Sequence, residues 1–446
     1  MATIGSAPDT RRHLLLERLD QARSRTDELF RMIRSEALYD RPIRERHRIV
    51  FYIGHLEAFD WNLIPRGALG IEPFHPDYDK LFAFGIDPVD GGLPTDQPSD
   101  WPPMEEVLAY NRRVRSIVDE SIRDPRRGGA ERPALEDGTL VHVAIEHRLM
   151  HAETLAYMFH QLPFDRKIPA HDPPHTAARA VAPRKIGIPA GVATLGLDRA
   201  EGFGWDNERD PLRVAVPAFR IDSHNVTNGR FLEFLRAGGY EERSLWSAED
   251  WEWKTREGIR HPGFWIPKDN GEWGYRGMFA EVPLPLDRPA YVSQAEASAF
   301  ARASGATLPT EAQFHRAAYG TPEGGERSYP WGDDGPEARH GNFDFHRWEP
   351  SPVGAHPEGD SAFGVSDLVG NGWEWTSTKF GPLPGFEAFP FYAGYSANFF
   401  DGKHFVMKGG SSRTAACLLR RSFRNWFQAH YPYVYAGFRC VETPPC

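Results

Sequence analysis

Residues 146–154 read EHRLMHAET, with His147 and His151 four apart in a run whose apolar spacing is helical. Residues four apart share one face of an α-helix, so the two imidazoles can point at one ion. Glu153, two residues past His151, lies about half a turn round the helix. It suits a role in orienting a ligand better than that of a ligand. The spacing leaves two readings open, a metal site and a chance pair on an amphipathic helix. A third histidine on a neighbouring helix favours the metal. His55 is the best placed, because it sits among apolar residues in YIGHLEAFDW, where a histidine without a partner is costly. His47 and His142 fit less well, and His160 lies nine residues beyond His151.

Working outward, helical apolar periodicity recurs over 10–36, 43–64, 103–123 and 135–161. Pro102 and Pro103 open the third of these segments. Four such segments predict a four-helix bundle over residues 1–162. The stretch 66–101 is long for a bundle loop and rich in Pro, Gly and Asp, which marks a functional or disordered segment. Residues 163–185 are Pro/Ala-rich and read as a linker. From 186 to 446 short β-like runs alternate with Gly/Pro turns and recurring tryptophans. Two helices are expected there, at 292–304 and 310–319, the second opened by a Thr310/Gln313 capping-box pattern. The fold class is thus multidomain, all-α followed by α+β.

The totals exclude several classes. The chain has 446 residues, 40% hydrophobic and 26% charged, an ordinary globular composition. A net charge of −10 with no block of Lys/Arg argues against a nucleic-acid partner. No apolar run is long enough to span a membrane, and the N-terminal stretch lacks a signal peptide's apolar core. The three cysteines, Cys417, Cys440 and Cys446, are too few for a disulfide framework. A cytoplasmic setting is expected.

The second half carries PAGVATLGLD (189–198), FGWDNE (203–208), FRIDSHNVTNGRFLEFL (219–233 and the residues just after), LPTEAQFHRAA (308–318), GNGWEWTSTKF (370–380), VMKGGSSR (406–413) and AGFRC (436–440). In this order they resemble the formylglycine-generating-enzyme/sulfatase-modifying-factor family, which implies a C-type-lectin-like α+β domain. The cysteine pair that makes formylglycine in that family is missing, since GGSSRTAACLLRR offers only Cys417. That activity is therefore rejected, and Cys417 is read as a packed structural residue. Joined to a DinB-like bundle with His147-x-x-x-His151-x-Glu153 and an upstream His55, the chain resembles the ergothioneine sulfoxide synthases. The resemblance covers nearly the whole chain.

It implies a non-haem Fe(II) held by His55, His147 and His151, with hercynine (trimethyl-histidine) and O₂ as substrates. It further implies Tyr392 as the catalytic proton donor and Tyr395 in the substrate pocket, from FPFYAGYSANFF. Asn425 and Trp426 of FRNWF would contact hercynine, the indole by cation–π attraction. Trp373 and Trp375 are expected to be scaffold.

Three departures bear on the donor. Phe427 stands where γ-glutamylcysteine-using members carry an aspartate. Met150 replaces a usual glutamine on the hercynine side. The loop 81–101 contains no arginine for the dipeptide's carboxylates. The departures favour an uncharged selenosugar, the donor of the similar selenoneine synthases. Cysteine paired by Arg420, Arg421 or Arg424 is the thiol alternative. Rival classes are a non-catalytic lectin-like binding protein and a zinc-dependent thiol transferase.

Overall fold

A computed structural model of the protein describes residues 8–83, 93–125, 132–170 and 182–442. The chain divides into two compact units, Met1–Ala170 and His171–Cys446. The division falls inside the expected linker, of which residues 171–181 lie outside the described residues, as do 84–92 of the long bundle loop and Cys446. No helix among the described residues is long and apolar enough to cross a membrane.

The first unit is built on four main helices: α1 (Pro8–Arg31), α2 (Ile49–Trp61), α4 (Met104–Arg123) and α6 (Thr139–Gln161). The short α3 (Pro76–Leu81) and α5 (Pro133–Glu136) lie between them. On α4 the buried residues Val107, Tyr110, Asn111, Val114, Val118, Ser121 and Ile122 form one stripe at three- and four-residue spacing. α2 is buried nearly all round and carries no such stripe, so it is a central helix. It runs on through a π-helical segment, Asn62–Ala68. α1 packs mainly on α6 and α2 mainly on α4, while α2 and α6 share a much smaller interface.

The expected helix over 43–64 begins later, at Ile49. The arginines before it are committed to tertiary bonds: Arg46 donates to the Tyr157 hydroxyl at 2.9 Å, and Arg48 to the Tyr39 carbonyl at 2.9 Å. The Ile49 N–H bonds to the Asp40 carbonyl, so the segment enters α2 as an anchored turn. The described part of the long loop is anchored too. Asp96 accepts from Arg48 at 3.0 Å and from the Trp101 indole at 2.8 Å, and it pairs with Arg41.

Among the described residues the second unit holds four small sheets. Their strands are β1 (Lys185–Ile188), β2 (Gly191–Leu195), β3 (Leu212–Val216), β4 (Phe219–Asp222), β5 (Trp265–Pro267), β6 (Trp273–Arg276), β7 (Glu281–Pro283), β8 (Trp373–Lys379), β9 (His404–Lys408), β10 (Asn425–Gln428), β11 (Ala436–Gly437) and β12 (Val441–Glu442). The orders are β1-β4-β12, β10-β9-β8-β11, β2-β3 and β5-β6-β7. The helices are α7 (Asn228–Arg236), α8 (Ala248–Arg256), α9 (Gln294–Ala303) and α10 (Glu311–Tyr319). α9 and α10 match the two expected helices, and the Thr310/Gln313 capping box forms in both directions. α7 and α8 were not expected.

One core packs Ile188, Val216, Phe219 and Ile221 against Phe314 and Tyr319 of α10, with Leu368 and Val441. At its side the fully buried Arg439 and Glu374 form a fork of two 2.6 Å bonds. Trp373 and Trp375 are buried, and the Trp375 indole donates to the Val292 carbonyl at 2.8 Å, which is scaffold behaviour. Cys417 is only half-buried, in a 3₁₀ turn, so it is less packed than expected.

Candidate metal centre

α2 supplies His55, and α6 supplies His147 and His151. The three offer ligand atoms that all lie within 4.8 Å of one another, the only such group of three among the described residues. Their ring centroids are 5.3 Å (55–147), 5.0 Å (55–151) and 4.5 Å (147–151) apart. All three are almost fully buried. His47 instead meets Phe51 in a tilted contact, 4.1 Å between centroids, and neither it, His142 nor His160 joins the group.

Neighbours fix His55 and His147. His55 Nδ1 donates to the Phe82 carbonyl at 2.7 Å. A carbonyl only accepts, so Nδ1 carries the proton and Nε2 keeps its lone pair. That Nε2, and both ring nitrogens of His151, are buried without a hydrogen-bond partner among the described residues. Phe51 stacks on His55 at 4.9 Å, and Phe59 lies flat on His147 at 3.5 Å. Burial pushes the His55 pKa down to about 4, and it holds His147 and His151 well below the ordinary imidazole value. Neutral imidazoles converging in an apolar pocket are what a divalent transition metal takes as ligands. The donor set fits iron and would also fit zinc.

The Phe82 carbonyl is itself held in place. Asp79 of α3 accepts from the Trp61 indole at 2.8 Å and the Tyr110 hydroxyl at 2.7 Å. This ties α3, and Phe82 just after it, to α2 and α4. Gly54 makes room: a Cβ there would stand 2.5 Å from the Phe82 ring. Met150 is half-buried, three residues after His147 and one before His151. Glu153 is buried.

In the second unit Tyr392, Tyr395 and Trp426 gather into one aromatic cluster. Tyr392 and Tyr395 are 5.6 Å apart, and Tyr395 meets Trp426 at 5.4 Å. Trp205 stacks on Tyr395 at 4.0 Å, and Phe380 covers one face of Trp426 at 4.1 Å. Desolvation raises the Tyr392 phenol to about 12, with Asp206 adding to it. β10 pairs Trp426 with Val406 and Phe427 with Phe405. Alternation along a strand therefore puts Trp426 on one face and Asn425 with Phe427 on the other. Phe427 accordingly stacks on Tyr431, at 5.1 Å. The Asn425 side-chain carbonyl accepts from the Trp426 N–H at 2.8 Å.

The arginines considered for a donor carboxylate are already committed. Arg420 forks onto the buried Glu208, and Arg424 onto the buried Glu311 at 2.9 and 3.1 Å. Arg421 pairs with Glu326 at 3.2 Å. Sequence reasoning missed Phe59, Phe82 and Gly54 around the histidines, and Trp205 and Phe380 around the tyrosines. Phe59, four residues after His55, carried a helical signal; Gly54, Trp205 and Phe380 sit in the quoted YIGHLEAFDW, FGWDNE and GNGWEWTSTKF, and Phe82 had no signal.

Two known families match the chain. Residues 18–155 match the DinB superfamily, and residues 170–444 the sulfatase-modifying factor enzyme 1-like domain. A Hercynine oxygenase of Mycolicibacterium smegmatis is 34% identical over 345 residues, 76% of this chain and 78% of that protein. The chain belongs to the hercynine oxygenase family. The Hercynine oxygenase of Mycobacterium tuberculosis is 40% identical over 249 residues, 55% of this chain and 57% of the relative. Ergothioneine biosynthesis protein 1 of Neurospora crassa is 31% identical, with 92% of this chain matched to 55% of that protein. The chain thus spans little more than half the length of several of its hercynine oxygenase and ergothioneine relatives.

Proposed function

We propose that this protein is an Fe(II)- and O₂-dependent enzyme that forms a carbon–chalcogen bond at imidazole C2 of hercynine, with a selenosugar as donor. The observation that carries the reading is the buried cluster His55, His147 and His151 in a chain of the hercynine oxygenase family. Bound Fe(II) supplies one-electron chemistry with O₂ that no side chain of the cluster has. Hercynine C2–H, the donor's Se–H and one O₂ balance as the new C–Se bond, one oxygen on the chalcogen and one water.

The protein's own groups have distinct parts. The Phe82 carbonyl and the Phe51 and Phe59 rings hold His55 and His147 in one orientation. Tyr392, still protonated at any physiological pH, gives its proton to reduced oxygen. Trp426, with Phe380 on one face, offers the other face to the trimethylammonium group. Tyr395 lines that pocket. The commitment of Arg420 and Arg424 to buried carboxylates supports an uncharged donor, because a carboxylate in a closed site needs a partner.

A thiol donor is the second reading, favoured by the name of the fungal relative, which places that protein in ergothioneine biosynthesis. The test is a set of parallel reactions of Fe(II)-loaded protein with hercynine and O₂, each with a selenosugar, cysteine or γ-glutamylcysteine, read by product mass. A selenium adduct forming much faster than any sulfur adduct supports the first reading. A sulfoxide from a thiol, with no selenium adduct, replaces it with the second.

A further inference from the structure

The three histidines come from α2 and α6, which share a small interface. Beside α2 an open pocket of about 350 Å³ is lined by Ile53, Leu56, Glu57, Asn111, Arg115 and Arg148 among others. Across the small interface between α2 and α6 runs a polar tie. Arg148, the residue after His147, is 1% exposed and reaches across to α2. Its guanidinium donates to the Leu56 carbonyl at 3.0 Å, to Glu57 at 3.0 Å and to Asp60 at 2.8 Å. Leu56 is the residue after His55. The two helices are thus joined by a direct hydrogen bond one residue beyond a metal ligand on each side. Arg115 of α4 braces the same Glu57 at 2.9 Å and forks onto Asp27 of α1 with two 2.7 Å bonds.

A buried ion network is a poor source of stability, since desolvating the charges offsets their attraction and apolar residues of similar volume often do as well. Its best-attested use is to specify register. We propose that Arg148 is a positioning residue for the metal centre: its fork onto Leu56, Glu57 and Asp60 sets the distance and rotation of α2 against α6 at which His55 meets His147 and His151. The inference rests on the reading of the three histidines as a metal site.

The test is titration of the purified full chain with Co(II), followed by the visible d–d absorption of the bound ion, with far-UV circular dichroism as a check on folding. Two variants are compared with the wild type. Arg148→Lys keeps the charge and loses the fork. The combined Arg148→Met, Glu57→Gln, Asp60→Asn change removes the charges together, so that none is left buried and unpaired. Each folded variant is expected to bind Co(II) roughly ten- to a hundredfold more weakly, as when partners behind metal ligands are removed, and to show an altered d–d band. A purely structural role would lower the unfolding temperature and leave the affinity and band of the folded protein unchanged. If Arg148→Lys does not fold, the combined variant decides. A folded variant with wild-type affinity and band overturns the inference. A wild type that binds no Co(II) overturns the metal reading beneath it, a separate and distinguishable failure.

Discussion

His55 Nδ1 donates to the main-chain carbonyl of Phe82 at 2.7 Å, across 27 residues of chain. This one bond fixes which nitrogen of His55 faces the other two histidines, and it depends on Phe82 closing over Gly54.

Gly54→Ala is therefore expected to damage the metal centre without touching a ligand. Its Cβ would stand 2.5 Å from the Phe82 ring, and moving Phe82 breaks the bond that orients His55. Metal affinity falls about tenfold or more, checked by titration with Fe(II) or Co(II) under anaerobic conditions. Unchanged affinity would show that the Phe82 carbonyl does not set the ligand.

The pH dependence follows from burial. His55 is pushed down to about 4, and His147 and His151 also lie well below the ordinary value of 6.5. Protons therefore do not compete with the metal near neutrality, and affinity should stay flat from pH 8 to 6. Three exposed histidines would show a steep fall there. The metal-free fold behaves differently. The unfolded chain takes up protons at these histidines below pH 6.5 while the folded chain does not, so stability drops as pH falls from 6.5 towards 4. For His55 alone the full loss is about 3 kcal/mol, readable from denaturant unfolding of metal-free protein across that range.

Tyr392→Phe removes the proposed proton donor and leaves the ring. The expected loss in turnover is about 10²- to 10⁴-fold, with hercynine affinity within a few-fold of wild type. Single-turnover kinetics and calorimetry check the two halves. Because the Tyr392 phenol is raised to about 12, the wild-type rate shows no loss from its ionisation below about pH 11.

Trp426 has one face covered by Phe380, so under the proposed reading the trimethylammonium group would meet the other face. Trp426→Leu should weaken hercynine binding by about 2 kcal/mol, near thirtyfold, and leave binding of plain histidine almost unchanged. Calorimetry with the two ligands checks this. Equal losses for both would mean that the indole acts only by shape.

Much of the bundle was legible because its signals are local. The i, i+4 spacing of His147 and His151 and the apolar surroundings of His55 can be read along one helix each, and the Thr310 capping box is complete within four residues. What escaped depends on residues distant in the chain. The turn at 43–48 reads as helix because nothing local reveals that Arg46 and Arg48 bond to Tyr157 and Tyr39. α7 and α8, nine residues each, lack the full capping box that marks the equally short α10. The Phe82 carbonyl and the Arg148 fork are tertiary pairings with no pattern of their own. The opposed faces of Trp426 and Phe427 needed the strand assignment of β10, which FRNWF alone does not supply.

The measurement that tests the central claim most directly is O₂ uptake by protein loaded anaerobically with Fe(II) or with Zn(II), given hercynine and a chalcogen donor, with products followed by mass. The account predicts that the Fe(II) form consumes one O₂ per adduct formed, and that the Zn(II) form and an Fe(II)-treated His151→Ala variant do neither. Adduct formation by the Zn(II) form, or without O₂, would contradict it.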